Sequence, residues 1–372
     1  MAASDAGVIY EGAFGRRDLG GATAMTRDSV FRIASMTKTV TSVAALRLVE
    51  QGKLSLDGAL PEIDPALNAP LVLEGFDPAG APILRPARGR ITLRHLLTHT
   101  AGFSYEAWNA NTLRYVAASG MPSTSTGRLA ALRLPLAFEP GTRWHYGINI
   151  EWVGRIIEAV SGETLDAHLR AHVTGPLGMD DTGYVAAPSQ RARLASVHQR
   201  GADGTLIPLA LETPATPEFW PGGGGLISTA PDYLRFLRML LHGGALDGVR
   251  ILREETVALM GRNHIGELAA GILATTTPAR SNDVDLFPGA PLRWGFGGMI
   301  NMAAGPSGRS AGTLSWGGIY NSYFWLDPTR RIAGVILTQI LPFADARALA
   351  LYGRFERAVY AAAQTGNHAH LA

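Results

Sequence analysis

The stretch FRIASMTKTVTSVAALRLVEQGKLSLD, residues 31–57, predicts a short strand followed by a helix that runs from about Ser35 to Gln51. Its apolar side chains cover most of the helical circumference, which is typical of a helix buried inside a fold. Gly52 is expected to end this helix. Ser35 and Lys38 are three residues apart near the first turn, so their side chains face the same side within reach of each other.

A serine with a lysine one turn later predicts nucleophilic chemistry, because a desolvated lysine can take the serine's proton. The helix N-terminus adds backbone N–H groups and partial positive charge for a developing oxyanion. Of the 33 basic residues only Lys38 and Lys53 are lysine, and the other 31 are arginine, which does not release its proton. The alternative is two polar residues on an ordinary helix, since S-x-x-K also recurs by chance.

Composition narrows the class of protein. The 372 residues are 47% hydrophobic with 44 glycines and 22 prolines, which indicates a folded chain, and the absence of cysteine excludes disulfides, thiolate metal sites and cysteine nucleophiles. The net charge of +2 comes with scattered arginines and no basic stripe for a nucleic acid. We find no secretion signal and no apolar run of the roughly 18 residues that span a bilayer, so a cytoplasmic protein without a membrane partner is expected.

The two ends of the chain predict strands. Residues 7–14 form one, and the segments TLSWGGIYNSYFWL (313–326) and RIAGVILTQI (331–340) are predicted as strands joined by a turn at DPTR. A last helix is expected over 345–364. This pattern indicates a sheet built from both ends of the chain and flanked by helices.

The middle of the chain is helical and rich in loops. Helices are predicted over 149–160 and 163–172, and a further helix follows Thr229. We therefore predict a sheet domain formed by residues 1–60 and 211–372. A mostly helical insertion domain is predicted at 61–210.

Two further motifs would complete a reactive site. Tyr146, in RWHYGIN, precedes a predicted helix, and a phenol held close to Lys38 would relay a proton between serine and leaving group. Trp316-Gly317-Gly318 is expected to open a strand, where two glycines let the backbone approach a ligand and the N–H of Ile319 would donate to it. A packed tyrosine and a β-bulge beside a core tryptophan are the alternatives.

The order of these motifs along the chain resembles the serine β-lactamase and penicillin-binding superfamily, and most closely the family VIII carboxylesterases. The segment ITLRHLLTHTAGF, residues 91–103, looks like the L-L-T-H-T-S-G segment typical of these proteins. The resemblance implies a β-lactamase-like α+β fold, with an antiparallel sheet flanked by N- and C-terminal helices and an inserted, mostly helical domain.

The resemblance also implies a role for each matched residue. Ser35 would be the acylated nucleophile, Lys38 its activating partner, and Tyr146 the general base or proton relay. The N–H groups of Ser35 and Ile319 would form the oxyanion hole. The substrate-binding residues would be Tyr105, Trp316, Gly317 and Gly318. No cofactor and no metal is implied.

The chain departs from class C β-lactamases, which have Y-x-N and K-T-G motifs. Ile148 and Trp316 stand at the corresponding positions, and no lysine follows Lys53. Because that lysine helps bind the carboxylate of a β-lactam, efficient β-lactam hydrolysis is not expected.

Family members also carry a helix and one more strand before the segment matching residues 7–14. An uncovered sheet edge is therefore expected here, and self-association through that edge is expected with it.

Two other motifs are interpreted as structural. Gly308–Gly312 spells G-x-S-x-G around Ser310, but a nucleophile elbow needs a strand before it and a helix after it, and neither is predicted here. The glycine run 222–225 has no following G-K-[ST], so we expect a mobile or tightly turned loop near the site instead of a phosphate-binding loop.

Two histidine pairs have the i, i+4 spacing of metal ligands. They are His95 with His99 and His168 with His172. No carboxylate completes either pair convincingly in the sequence, so capping or packing roles are expected.

The leading functional hypothesis is a serine esterase acting on small-molecule esters of short acyl groups. A transacylase would use the same residues, and the sequence does not separate the two activities. Weak β-lactamase or D-alanyl peptidase activity is the hypothesis within the superfamily. A binding or scaffold protein with a dead site is the alternative from another class, which the joint presence of Ser35, Lys38 and Tyr146 disfavours.

Overall fold

The computed structural model describes residues 1–211 and 216–365 and shows an antiparallel sheet covered by helices, which confirms the predicted α+β class. The strands are β1 (Ala2–Ser4), β2 (Val8–Tyr10), β3 (Phe31–Arg32), β4 (Leu71–Phe76), β5 (Pro82–Pro86), β6 (Val197–Arg200), β7 (Leu206–Leu209), β8 (Ile227–Ser228), β9 (Ala245–Leu246), β10 (Val249–Arg250), β11 (Leu292–Trp294), β12 (Met299–Asn301), β13 (Leu314–Gly318), β14 (Ser322–Asp327), β15 (Ile332–Ile336) and β16 (Ile340–Leu341).

The five helices predicted from the sequence are present and begin and end close to the expected positions, and the structure adds shorter helices that were not predicted. They are α1 (Thr37–Glu50), α2 (Pro65–Asn68), α3 (Leu93–Leu97), α4 (Ala110–Ser119), α5 (Asn149–Ser161), α6 (Leu165–Leu169), α7 (Pro188–Arg191), α8 (Ala230–Leu241), α9 (Glu254–Met260) and α10 (Ala346–Thr365). Thr229 caps α8, because its side chain accepts a hydrogen bond from the backbone N–H of Asp232. Among the described residues, no helix combines the length and the apolar character needed to cross a membrane.

The main sheet joins the two ends of the chain. Its seven strands lie in the order β11-β12-β13-β14-β15-β1-β2, and Ala2 pairs with Gly334. A strand therefore precedes residues 7–14, contrary to the expectation that it is missing. Its three residues are too few to show the alternation from which a strand is predicted. Strand β2 is the edge beside it, and self-association through this edge stays a prediction.

Helices cover both faces of this sheet. Neighbouring residues of a strand point to opposite faces, and on β14 the ring of Phe324 contacts Tyr233 of α8 while Trp325 contacts Phe355 of α10. Helix α1 packs on α5 and α6. All but three of its residues are buried, as its apolar circumference predicts.

The predicted strand over 313–326 forms two strands. Strands β13 and β14 pair directly as a hairpin, and the turn between them holds Asn321 at a φ of 60°. Asparagine is one of the few residues that tolerate this left-handed conformation. Trp316-Gly317-Gly318 consequently ends β13 instead of opening a strand.

The region 61–210 contains helices α2 to α7, together with two strand pairs. Strand β4 pairs with β5, and β6 pairs with β7 and also with β16 of the C-terminal region. The region is thus less purely helical than predicted. The sequence did not indicate strand β5, because Pro82–Pro86 lies among prolines and carries no clear strand pattern. The division into two domains stays a prediction.

Candidate active site

Ser35 lies in a single turn of 3₁₀-helix, Ala34–Met36, between β3 and α1. Ala34 has a φ of 45°, a conformation that a residue with a side chain adopts only where its surroundings hold it. Backbone contacts hold this turn, since the N–H of Ile33 donates to Leu226 and the hydroxyl of Tyr233 donates to the carbonyl of Met36. The serine side chain is half-buried and lines a large cavity.

Lys38 is buried next to this serine. Its Nζ lies 3.2 Å from Ser35 Oγ, 3.2 Å from the hydroxyl of Tyr105 and 2.6 Å from the carbonyl oxygen of Gly223. The side chain is only 2% exposed, so these three contacts replace its hydration. The predicted pairing of Ser35 with Lys38 is present in the structure.

Glu151 on α5 is a buried carboxylate at the same place. It accepts hydrogen bonds from the Tyr105 hydroxyl at 3.3 Å and from the Gly223 N–H at 2.8 Å. Burial raises the pKa of Glu151 above its ordinary value of 4.5, and the nearby Lys38 partly offsets this rise. Burial also raises the pKa of Tyr105 well above 10.0, and the charge of Glu151 raises it further. Tyr105 therefore stays a protonated donor toward Glu151.

Tyr146 approaches Lys38 with its ring. Its ring centroid is 4.7 Å from Lys38 Nζ, while its hydroxyl accepts a hydrogen bond of 3.0 Å from Trp316 Nε1. Among the described residues, the hydrogen bonds of Lys38 Nζ go to Ser35, Tyr105 and Gly223. The phenol hydroxyl that is hydrogen-bonded to the lysine is thus that of Tyr105, for which only a role in lining the site was predicted.

The end of β13 lies against the turn that carries Ser35. A side chain at Gly318 would collide with the carbonyl oxygen of Ile33, so only glycine permits this close approach. Trp316, Gly317 and Ile319 line the same cavity as Ser35. The structure therefore brings the W-G-G motif to the serine, while the oxyanion hole of Ser35 and Ile319 stays a prediction.

The cavity has a volume of 790 Å³, enough for a ligand larger than a simple short-chain ester. Gly223, Gly224 and Gly225 form part of its wall, as a tightly turned loop near the site. The side chains that surround it include Tyr105, Trp108, Tyr146, Tyr184, Trp220 and Trp316.

Sequence reasoning missed the roles of Glu151 and Gly223. Glu151 is a glutamate on an amphipathic helix, and such residues ordinarily face solvent. The one sequence feature that could have indicated a role in the site is the position of Glu151, five residues after Tyr146 and among apolar neighbours. Gly223 belongs to a glycine run whose place near the site was predicted, but its contact with Lys38 joins residues that are 185 positions apart.

The other serine motif lies outside the cavity wall. The N–H of Ser310 donates to Asp327, and its carbonyl accepts from Asn301 and Thr313, in a loop between β12 and β13. No helix follows it, so the interpretation that Ser310 is structural agrees with this geometry. His99 has a packing role, because its ring contacts Tyr146 at 4.7 Å and its Nδ1 contacts Asn149 Nδ2 at 2.9 Å.

The conclusion that no carboxylate completes the histidine pairs is wrong for His168 and His172. Glu163 Oε2 lies 2.7 Å from His168 Nδ1 and 3.2 Å from His172 Nε2. The turn that begins α6 folds Glu163 back over both histidines, and sequence spacing alone did not indicate this. The three ligand atoms lie within 4.8 Å of one another. Hydrogen bonds from the two rings to the carboxylate account for the cluster without an ion.

Known proteins are similar to this chain in sequence and in fold. Monacolin J acid methylbutanoyltransferase from Aspergillus terreus is 33% identical, over 91% of this chain and 84% of its own length. Lovastatin esterase from Penicillium rubens is 34% identical, over 90% of this chain and 86% of its own. A mutant of simvastatin synthase from Aspergillus terreus superposes with a TM-score of 0.84 at 30% identity, covering 98% of this chain and 92% of the other.

A family model described as Beta-lactamase matches residues 1–358. The serine β-lactamase-like fold is therefore confirmed together with the predicted superfamily. The similarity of this chain to an esterase and to acyltransferases identifies it as an enzyme of the serine hydrolase type. This chain belongs to the beta-lactamase family.

Proposed function

We propose that the protein is a carboxylesterase that hydrolyses esters of short acyl groups through an acyl-enzyme on Ser35, as family VIII enzymes do. The contact of 3.2 Å between Lys38 Nζ and Ser35 Oγ carries this proposal. A neutral lysine amine has two N–H groups and one lone pair. Gly223 O and the Tyr105 hydroxyl accept the two N–H groups, which leaves the lone pair for the proton of Ser35.

Acylation of Ser35 begins with a proton transfer. The Ser35 proton moves to Lys38 Nζ while Oγ forms a bond to the ester carbonyl carbon. The carbonyl oxygen becomes an oxyanion, for which the N–H groups of Ser35 and Ile319 are the proposed donors. The oxyanion then collapses and the bond between the acyl carbon and the alcohol oxygen breaks, while the alcohol oxygen takes a proton from Tyr146 and the proton on Lys38 passes to the Tyr146 oxygen. Water reverses the sequence, releases the acid and restores Ser35.

Tyr146 is the proposed proton donor to the leaving alcohol. Its hydroxyl accepts a hydrogen bond from Trp316 Nε1, which leaves its own proton free to move. Accepting that bond also stabilises a phenolate, should the proton depart. The Tyr105 proton, in contrast, is directed to Glu151.

Fluorophosphonate labelling tests the nucleophile. The wild-type protein and the Ser310→Ala variant are expected to react at Ser35, as located by peptide mapping, and the Ser35→Ala variant is expected not to react. Hydrolysis of para-nitrophenyl butyrate should follow the same pattern. A folded wild-type protein that stays unlabelled would favour a binding or scaffold role, and labelling at Ser310 would overturn the assignment.

Acyl transfer is a second candidate, supported by the similarity to a methylbutanoyltransferase. The same acyl-enzyme would pass its acyl group to an alcohol or amine in place of water. Comparing the ratio of products with and without an added acceptor separates the two activities.

β-Lactam hydrolysis is expected to be weak because Trp316 stands where a lysine would bind the substrate carboxylate. Nitrocefin turnover as fast as that of para-nitrophenyl butyrate would contradict this.

A further inference from the structure

Thr41 is a buried hydroxyl group on helix α1, three residues after Lys38, so the two side chains share one face of the helix. Its hydroxyl donates a hydrogen bond of 2.7 Å to the carbonyl oxygen of Gly222. A threonine inside a helix ordinarily bonds a carbonyl of the preceding turn. The hydroxyl of Thr41 instead reaches the glycine loop, and it therefore ties that loop to the helix that carries Lys38.

Helix α1 holds two successive carbonyl groups of this loop. Thr41 binds the carbonyl of Gly222, and Lys38 Nζ binds that of Gly223 at 2.6 Å. Only two rotatable dihedral angles separate neighbouring peptide planes, so fixing the first carbonyl restricts the direction of the second. Within the described ranges, the Thr41 hydroxyl is the one hydrogen-bond donor to the Gly222 oxygen. The Thr41 bond thus helps to determine where the acceptor for Lys38 lies.

Helix α5 holds the other side of the loop. A Cβ at Gly222 would lie 2.5 Å from the carbonyl oxygen of Ile150, so the loop lies directly against the backbone of this helix. The N–H of Gly223 donates to Glu151 at 2.8 Å. These contacts hold the loop toward α5, while the Thr41 hydroxyl holds it toward α1. Loss of that hydroxyl is therefore expected to let the Gly223 carbonyl move away from the lysine.

We propose that Thr41 is a positioning residue for the proton transfer from Ser35. It lies outside the cavity wall and acts through the glycine loop, whose Gly223 carbonyl orients the amine of Lys38. With one N–H of a neutral amine fixed on that carbonyl, its lone pair can point at the serine proton. This inference rests on the proposed esterase function and names a further residue on which that function depends.

Thr39 supplies a matched control on the same helix. It is equally buried, and its hydroxyl donates a hydrogen bond of 2.6 Å to the carbonyl oxygen of Gly297. Gly297 lies between β11 and β12, outside the described wall of the catalytic cavity. Thr39→Val and Thr41→Val thus each take one buried hydroxyl donor from a loop carbonyl. Only Thr41→Val changes the loop that contacts Lys38.

Steady-state kinetics with para-nitrophenyl butyrate are the first test. Thr41→Val should lower kcat and kcat/KM alike, by about 10- to 10²-fold, because a displaced amine slows the chemical step. Thr41→Ser keeps the hydroxyl and should retain most of the activity. Thr41→Ala takes the place of Thr41→Val if the valine variant does not fold.

Thermal denaturation makes the comparison with Thr39→Val informative. Each valine variant leaves a buried carbonyl without its hydroxyl donor, so the two denaturation temperatures should fall by similar amounts. Thr39→Val should nevertheless keep the wild-type kcat. Equal losses of kcat in Thr39→Val and Thr41→Val, or no loss in Thr41→Val, would overturn the proposal.

NMR of the lysine side chains needs no turnover and separates this inference from the esterase proposal. Lys38 and Lys53 are the only lysines in the sequence, so carbon-13 labelling of lysine gives the Cε signals of two residues, which Lys53→Arg assigns. Lys38 Nζ lies 4.7 Å from the ring centroid of Tyr146 and 5.2 Å from that of Tyr105. Ring currents therefore make the Lys38 signals sensitive to small displacements of the side chain.

We expect Thr41→Val to shift the Lys38 signals, and Thr41→Ser and Thr39→Val to leave them in place. Unchanged Lys38 signals in Thr41→Val overturn the inference, whatever the change in kcat. A wild-type protein that neither hydrolyses the ester nor reacts with the fluorophosphonate counts against the esterase. A shift confined to Thr41→Val would still support the conclusion that Thr41 positions the amine.

Discussion

The nitrogen of Lys38 lies 2.6 Å from the carbonyl oxygen of Gly223, the shortest of its three hydrogen bonds. The N–H of the same glycine donates to Glu151 at 2.8 Å. One peptide position of the glycine loop thus holds both the amine and the buried carboxylate. The loop is part of the reactive site, and its lack of side chains is what lets it come so close.

The first prediction concerns Gly223→Ala. A Cβ at this position would lie 2.5 Å from Glu151 Oε1 and 3.1 Å from Lys38 Nζ, so one of the two groups must move. We expect kcat to fall by about 10²-fold, as for a misplaced catalytic group. Gly224→Ala is the matched control, because its Cβ would meet nothing within 4 Å. Equal kcat values for the two variants would show that the Gly223 contact is dispensable.

The second prediction compares the two lysines of the chain. Lys38→Arg places a permanent positive charge at this position and removes a base that can accept the serine proton. Esterase activity should fall by about 10³-fold, within the range of general acid–base catalysis. Lys53 is exposed, and Lys53→Arg should leave kcat unchanged. A Lys38→Arg enzyme with a tenth or more of wild-type activity would mean that charge, and not proton transfer, is what the site requires.

The third prediction separates the two tyrosines. Tyr146→Phe removes the proposed donor to the leaving alcohol, so kcat should fall by about 10² to 10⁴-fold for an alkyl ester and less for a para-nitrophenyl ester, whose leaving group needs no proton. It also leaves the buried Trp316 N–H without an acceptor, a cost of about 1–3 kcal/mol that thermal denaturation would detect.

Tyr105→Phe removes one hydrogen bond of Lys38 and one of Glu151. Its effect should be the same for both leaving groups, because the hydroxyl positions the amine without donating to the alcohol. If the dependence on the leaving group appears in Tyr105→Phe and not in Tyr146→Phe, the two roles are exchanged.

The local parts of the site were predictable from sequence. Ser35 and Lys38 are set by helix geometry, and the order of the motifs indicated the fold. Glu151 and Gly223 were not predictable, because they meet Lys38 only through packing between distant elements. Strand β1 escaped prediction because its three residues are too few to show a period. The division of 313–326 into two strands follows from a tight turn at Asn321, which the continuous run of apolar and aromatic residues concealed.

The last prediction concerns stability and pH. Asp232 is 8% exposed near the start of α8, where its Oδ2 accepts from the Asp181 N–H and the Thr182 hydroxyl, each at 2.9 Å. Burial raises its pKa from 3.8 to about 6. Because the folded pKa is raised, the protonated group stabilises the fold below pH 3.8, and this contribution is lost as the pH rises through 6.

Asp232→Asn keeps the acceptor oxygen and removes the charge. At a pH well above 6 it should raise the free energy of unfolding by about 2 kcal/mol relative to wild type, somewhat less than the shift alone implies, because the helix N-terminus favours the carboxylate. The gain should vanish below pH 3.8 in urea titrations. Asp203 lies on the surface and serves as the control. Hydrogen bonds from Thr205 lower the pKa of the Asp203 carboxyl, so Asp203→Asn should show no gain. A pH-independent difference for Asp232→Asn would mean that the carboxyl does not titrate in this range.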